Sequence, residues 1–192
     1  MSTKDWLGLM IGNSRLHWAY FFNYKLQQTW NTSKANSLKE LITILPPEIN
    51  RYLELQIPLY IASVVPSATT IYLKLPQTRI INAKKIPIQG VYSTMGIDRI
   101  LALWGGGCRY QFPCLVIDSG TALTVTGANE AKKLIGGAIL PGVRLQIESL
   151  FFNTAALPEI EILETITPRW AMDTPNAIQS GVIYSILGGI KG

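Results

Sequence analysis

The chain has little of what marks several large protein classes. Of its 192 residues only two are cysteine, Cys108 and Cys114, and only one is histidine. That excludes a disulfide framework and leaves no Cys/His spacing for a zinc site. Charged residues make up 15%, with 12 acidic residues against 17 Lys and Arg. A self-repelling, disordered chain is thereby excluded. No apolar run approaches the roughly 18 residues that a membrane helix needs. The start, Met1-Ser-Thr-Lys-Asp-Trp, lacks the shape of a secretory signal. These features predict a reduced, cytoplasmic protein with no membrane partner. The formal charge of +5 and pI near 9.2 come from thinly spread residues, with Arg79, Lys84 and Lys85 the densest group. Without a basic stripe or tail, no nucleic-acid partner is expected. A solvated basic surface explains the excess, with weak steering of small anions as the functional alternative.

What is present is apolar: 48% of residues are hydrophobic and the mean hydropathy is +0.22. That suffices for a real core in one large or two small domains. Residues 6–11, 15–22 and 25–32 read as strands, the first two joined by the tight turn Gly12-Asn13-Ser14. Ser37 caps a helix over 38–45 that Pro46-Pro47 stops. A central strand over 59–65 ends at Pro66, and 79–82 reads as another strand. Residues 97–108 have helical periodicity, frayed by Gly105-Gly106-Gly107. His17 and Trp18 fall on alternating faces, so one should be buried and the other exposed; Trp104 reads as core.

The pattern then restarts. Residues 114–117, 122–126 and 134–139 read as strands, and 143–152 and 176–187 as helices. Leu9-Met10-Ile11-Gly12-Asn13-Ser14 has the same form as Val116-Ile117-Asp118-Ser119-Gly120-Thr121. A duplicated strand–turn–strand–strand–helix unit predicts two similar halves with a cleft between them. Their boundary falls near 111–113, dividing the chain into 1–112 and 113–192. Chance likeness of two hairpins is the alternative.

Four segments carry candidate chemistry. Asp118-Ser119-Gly120-Thr121-Ala122-Leu123-Thr124 joins a strand-end carboxylate to a turn of small residues. Such turns expose consecutive N–H groups to a phosphate, and a carboxylate there can hold a metal. An ordinary Asp-Ser-Gly turn is the plain alternative. Gly96-Ile97-Asp98-Arg99 opens a helix, where free N–H groups and the dipole favour an anion. Asp98 could take a proton from a hydroxyl, and Arg99 could fork onto a carboxylate or phosphate. The alternative is an Asp that stabilises its own helix, paired with Arg99. Gly136-Gly137-Ala138-Ile139-Leu140-Pro141-Gly142 permits a close approach, which tight packing explains equally well. Thr174-Pro175-Asn176 begins a helix with an exposed Thr. There is no nucleophilic triad and no dinucleotide fingerprint.

These motifs, in this order and with Ser63-Val64-Val65-Pro66, Thr154-Ala155-Ala156-Leu157-Pro158 and Ala177-Ile178-Gln179-Ser180-Gly181, resemble the type III pantothenate kinases. That family lies in the acetate kinase, sugar kinase, Hsp70 and actin superfamily. The resemblance covers essentially the whole chain. It implies an α/β fold of two ribonuclease H-like domains, and ATP-dependent phosphorylation of pantothenate in coenzyme A synthesis. By the resemblance, Met10, Ile11, Gly12, Asn13, Ser14 and Arg15, with Gly120 and Thr121, would hold ATP. Tyr92, Gly96, Ile97, Asp98 and Arg99 would bind pantothenate, with Asp98 accepting the proton of the attacking hydroxyl. Asp118 would help hold a monovalent cation, potassium or ammonium, and magnesium would accompany ATP. Thr174 would reach the pantothenate of a neighbouring subunit in a homodimer.

Two features depart from the family pattern. Its first phosphate loop begins with Asp, and this chain has Met10 there; the internal repeat makes the same point, since Met10 stands where Asp118 stands in the second half. A thioether is a poor ligand for magnesium. The family also generally continues beyond Gly188-Gly189-Ile190-Lys191-Gly192, so a shortened second domain and an altered adenine site are expected. Three readings follow: an active pantothenate kinase, an impaired homologue that binds a ligand or partner, and a superfamily enzyme acting on another small molecule.

Overall fold

A computed structural model describes residues 5–162, 165 and 168–191. The chain divides into two compact units, Met1–Cys114 with Gly127–Ile135, and Leu115–Thr126 with Gly136–Gly192.

The first unit is built on a five-stranded sheet of β1 (Asp5–Ile11), β2 (Leu16–Phe22), β3 (Lys25–Thr32), β4 (Leu59–Ser63) and β5 (Thr78–Ile80), in the order β3-β2-β1-β4-β5. β1 pairs antiparallel with β2 and parallel with β4. This is the strand order of a ribonuclease H-like domain. Side chains alternate across the strands, so Leu7, Leu9 and Ile11 share a buried face with Leu16, Trp18, Leu59 and Ile61. Helices α1 (Leu38–Ile44), α2 (Pro47–Glu54) and α3 (Pro66–Tyr72) bring Leu41, Ile49, Leu53 and Tyr72 to the same core. Trp18 is buried and His17 exposed, as their alternation requires.

Helices α2 and α3 correct the sequence reading, which took Pro46-Pro47 and Pro66 as stops. Pro47 and Pro66 instead occupy the first helical positions. There a missing N–H costs nothing and the fixed φ suits the helix. Helix α4 (Ile97–Tyr110) also differs, because it runs through Gly105-Gly106-Gly107 without fraying. The ring of Phe112 fills the space that a Cβ on Gly107 would need, so packing outweighs the poor propensity. Trp104 is half-buried, with the Lys132 ammonium 5.2 Å from its ring centroid.

The second, smaller unit contains the sheet order β6-β7-β8, formed by β6 (Cys114–Ser119), β7 (Ala122–Ala128) and β8 (Leu134–Pro141). Helices α5 (Val143–Asn153) and α6 (Thr174–Lys191) supply Ile147, Ile178, Val182 and Ile186, which pack with Leu123. The tip of the β7–β8 hairpin belongs to the first unit, where Lys132 and Leu134 bond to the backbone of Gln89.

Candidate functional site

The first unit gathers its candidate residues at the carboxyl ends of the parallel strands β1 and β4, where open α/β sheets place ligands. Ile11 and Ser63 are register partners at those ends. Beyond Ile11 the chain turns tightly, with the Gly12 N–H donating to the Arg15 carbonyl at 3.1 Å. Asn13, Ser14 and Arg15 are exposed on this turn. Met10 is half-buried on the sheet face opposite the main core, with His17 and Ala62 as register neighbours. The Lys34 ammonium donates to the Asn13 carbonyl. No local pattern signals that contact, because 21 positions separate the two residues.

Val64 ties this turn to the tip of α4. Its N–H donates to the Ile11 carbonyl at 3.1 Å. Its Cγ1 lies 3.6 Å from the place a Cβ on Gly96 would occupy. Ser63 Oγ accepts from the Val65 N–H (3.0 Å) and from Thr69 Oγ1 (2.7 Å), which fixes the bend. Gly96 is the N-cap of α4, and any Cβ there would collide with Asp98 Oδ1.

Asp98 is half-buried, and its Oδ1 accepts the Arg99 backbone N–H at 2.8 Å. The carboxylate thus stabilises its own helix tip through the Arg99 backbone N–H, while the Arg99 guanidinium bonds to Tyr92. The Arg99 side chain is buried, 7% exposed, and its Nη1 donates to Tyr92 Oη at 2.8 Å. Tyr92, Gly96, Ile97, Asp98 and Arg99 therefore form one local assembly. A buried guanidinium held by a phenol is suited to a planar anion such as a carboxylate.

In the second unit, Ser119-Gly120-Thr121 joins β6 to β7, with the Gly120 N–H donating to the Ala122 carbonyl at 3.0 Å. The Gly142 N–H donates to the Thr121 carbonyl at 2.9 Å. A Cβ on Gly142 would strike the backbone of Gly120 and Thr121. The glycine run 136–142 therefore ends in a close approach to the second turn. Asp118 is exposed at the end of β6. Thr174 is exposed and, with Leu157, Met172, Asp173 and Ala177, lines an open cavity of about 510 Å³. Asp173 precedes α6 and accepts from the Asn176 N–H (2.9 Å) and Nδ2 (2.7 Å). These hydrogen bonds hold its carboxyl below the ordinary aspartate value.

The donor set discriminates between the two turns as metal sites. No three His, Cys, Asp or Glu residues cluster among the described residues. Magnesium keeps several waters and uses one or two carboxylates beside substrate phosphates. An exposed carboxylate such as Asp118 suits a hard cation; the thioether of Met10 does not. No helix among the described residues is long and apolar enough to cross a membrane.

A profile of type III pantothenate kinases matches residues 6–192. A type III pantothenate kinase from Synechocystis sp. is 47% identical over 190 residues, covering 98% of this chain and 70% of the relative. One from Nostoc sp. is 44% identical over 211 residues, covering 98% and 75%. A solved Campylobacter jejuni protein, named for the Baf family, superposes with a TM-score of 0.65 at 20% identity. It covers 96% of this chain and 77% of its own, and it shares the fold.

Proposed function

Because the chain belongs to the type III pantothenate kinase family, we propose a role for each element of its site. The reaction is ATP-dependent phosphorylation of pantothenate to 4'-phosphopantothenate, in coenzyme A biosynthesis. Met10, Ile11, Gly12, Asn13, Ser14 and Arg15 form the first ATP-binding turn; Gly120 and Thr121 form the second. Backbone N–H groups in such turns and the Arg15 guanidinium suit phosphate oxygens. Pantothenate sits at the tip of α4. Arg99 takes its carboxylate, Tyr92 holds Arg99, and Gly96 and Ile97 present backbone. Asp98 accepts the proton of the attacking hydroxyl. Phosphoryl transfer asks mainly for positioning and charge neutralisation, and the Asp98 carboxylate orients the attacking hydroxyl as it accepts the proton.

A divalent ion bound with ATP neutralises phosphate charge. Asp118, exposed at the end of β6, helps to hold potassium or ammonium. The two ribonuclease H-like halves are residues 1–112 and 113–192. Thr174 serves the pantothenate site of a second subunit in a cytoplasmic homodimer, which its exposure beside an open cavity supports. No observation favours an impaired, partner-binding homologue.

The observation that carries this reading is the link through Val64 from the β1 turn to the helix tip bearing Asp98 and Arg99. A coupled assay of ADP release tests it, with ATP, pantothenate, magnesium and potassium. The parent chain should release ADP only when pantothenate is present. Asp98→Asn should lower kcat by about 10²- to 10⁴-fold while still binding pantothenate. Release that ignores pantothenate, or an Asn variant as fast as the parent, would defeat the assignment.

A further inference from the structure

Besides Arg15, the first phosphate turn carries a second cation, which comes from outside its own sequence. Lys34 is half-buried, and its ammonium rests on the Asn13 carbonyl at the middle of the turn. The backbone that launches it is anchored. Ala35 is buried, and its N–H donates at 3.3 Å to the hydroxyl of the fully buried Tyr72. Thr32 Oγ1, at the end of β3, accepts the indole N–H of Trp18 at 3.1 Å. Among the described residues Lys34 has no carboxylate partner. An ammonium has three donors, and one carbonyl satisfies only one of them. In the adjoining strand, position 10 is Met. No carboxylate stands there to neutralise the lysine or to draw a divalent ion.

We propose, resting on the assignment of this turn to nucleotide phosphate, that Lys34 is itself a phosphate-binding residue. Its ammonium is held in place by the Asn13 carbonyl and donates to a phosphate oxygen of the bound nucleotide. Protein charge thereby supplies neutralisation at the end of β1, where the side chains present do not fit a metal. A compact ammonium on an anchored stem is suited to this, because a phosphate accepts a point charge from many directions.

The test is calorimetric titration of the full chain with ADP, with magnesium and with a chelator, and separately with pantothenate. Lys34→Met and Lys34→Gln should each weaken nucleotide binding roughly tenfold or more. The loss should be larger under chelation, where no ion shares the phosphate charge. Lys34→Arg should retain most of the affinity, and pantothenate affinity should hold in all three. Two results would overturn the proposal: unchanged ADP affinity in both neutral variants, or an equal loss of ADP and pantothenate affinity, the mark of a lysine that merely staples the turn. A parent that binds pantothenate but not ADP would remove the phosphate assignment, and the inference with it. A parent that binds ADP no better than its neutral variants would remove the inference alone.

Discussion

Met10 and Asp118 stand next to last in β1 and β6, each one residue before a tight turn of small residues. The two turns differ in chemistry because of that one pair. Asp118 offers a hard anionic donor; Met10 offers a soft sulfur. Met10→Asp would put a carboxylate on the same sheet face, next to His17 and Ala62 in register. Replacing one strand-end residue leaves the buried row of Leu7, Leu9 and Ile11 intact, so folding should be unaffected. The expected outcome is a rise in kcat of about 10²-fold at saturating magnesium, the size of one electrostatic stabiliser in a transition state. Half-saturation by magnesium should also move to lower concentration. Steady-state assays across a magnesium series check both, and an unchanged kcat would mean that this turn works without a metal ligand.

At the scale of elements, the tip of α4 shows how closely backbone and chemistry are coupled. Gly96 caps the helix, and the space beside it is occupied by the Asp98 carboxylate. Gly96→Ala would push a short, half-exposed side chain rather than backbone, so melting temperature should change little. The carboxylate, however, would leave the position from which it is proposed to meet the attacking hydroxyl. A misplacement on the order of 1 Å can cost about 10²-fold in rate. A drop in kcat with preserved melting is therefore expected; an equal loss of both would show that the glycine serves packing. Gly142 makes the opposite case, since its missing Cβ makes room for the backbone of Gly120 and Thr121.

The same elements explain which parts of the fold and site are legible in the sequence. The turns at 12–15 and 119–121 and the helix tip at 96–99 are contiguous motifs, so local spacing revealed them. The prolines misled, because a proline marks a helix start as readily as a stop, and only the packing of Ile49, Leu53 and Tyr72 on the sheet selects the start. The Lys34–Asn13, Arg99–Tyr92 and Val64–Ile11 contacts are set by tertiary structure. The resemblance pointed to Tyr92, but its grip on Arg99 had no signature in spacing. Lys34 had no signal at all.

For the molecule as a whole, the question is whether one chain holds a complete site. The tip of α4 lies in the first unit, whereas Thr174 begins α6 in the second, exposed beside its cavity with Asp173 locked onto Asn176. If Thr174 serves the pantothenate site of a second subunit, two different inactive chains can repair each other. Asp98→Asn loses the proton acceptor but keeps Thr174; Thr174→Val loses the contact but keeps Asp98. A mixed dimer then contains one site with both defects and one with neither. Random exchange makes about half of the dimers mixed, each with one of its two sites intact, so activity should recover to about a quarter of the parent's. The check is to co-refold the two variants, each nearly inactive alone, and to assay pantothenate-dependent ADP release. Activity no greater than the average of the separate variants, in a sample that sedimentation shows to contain mixed dimers, would place each site within a single chain, with Thr174 serving its own chain rather than its neighbour's.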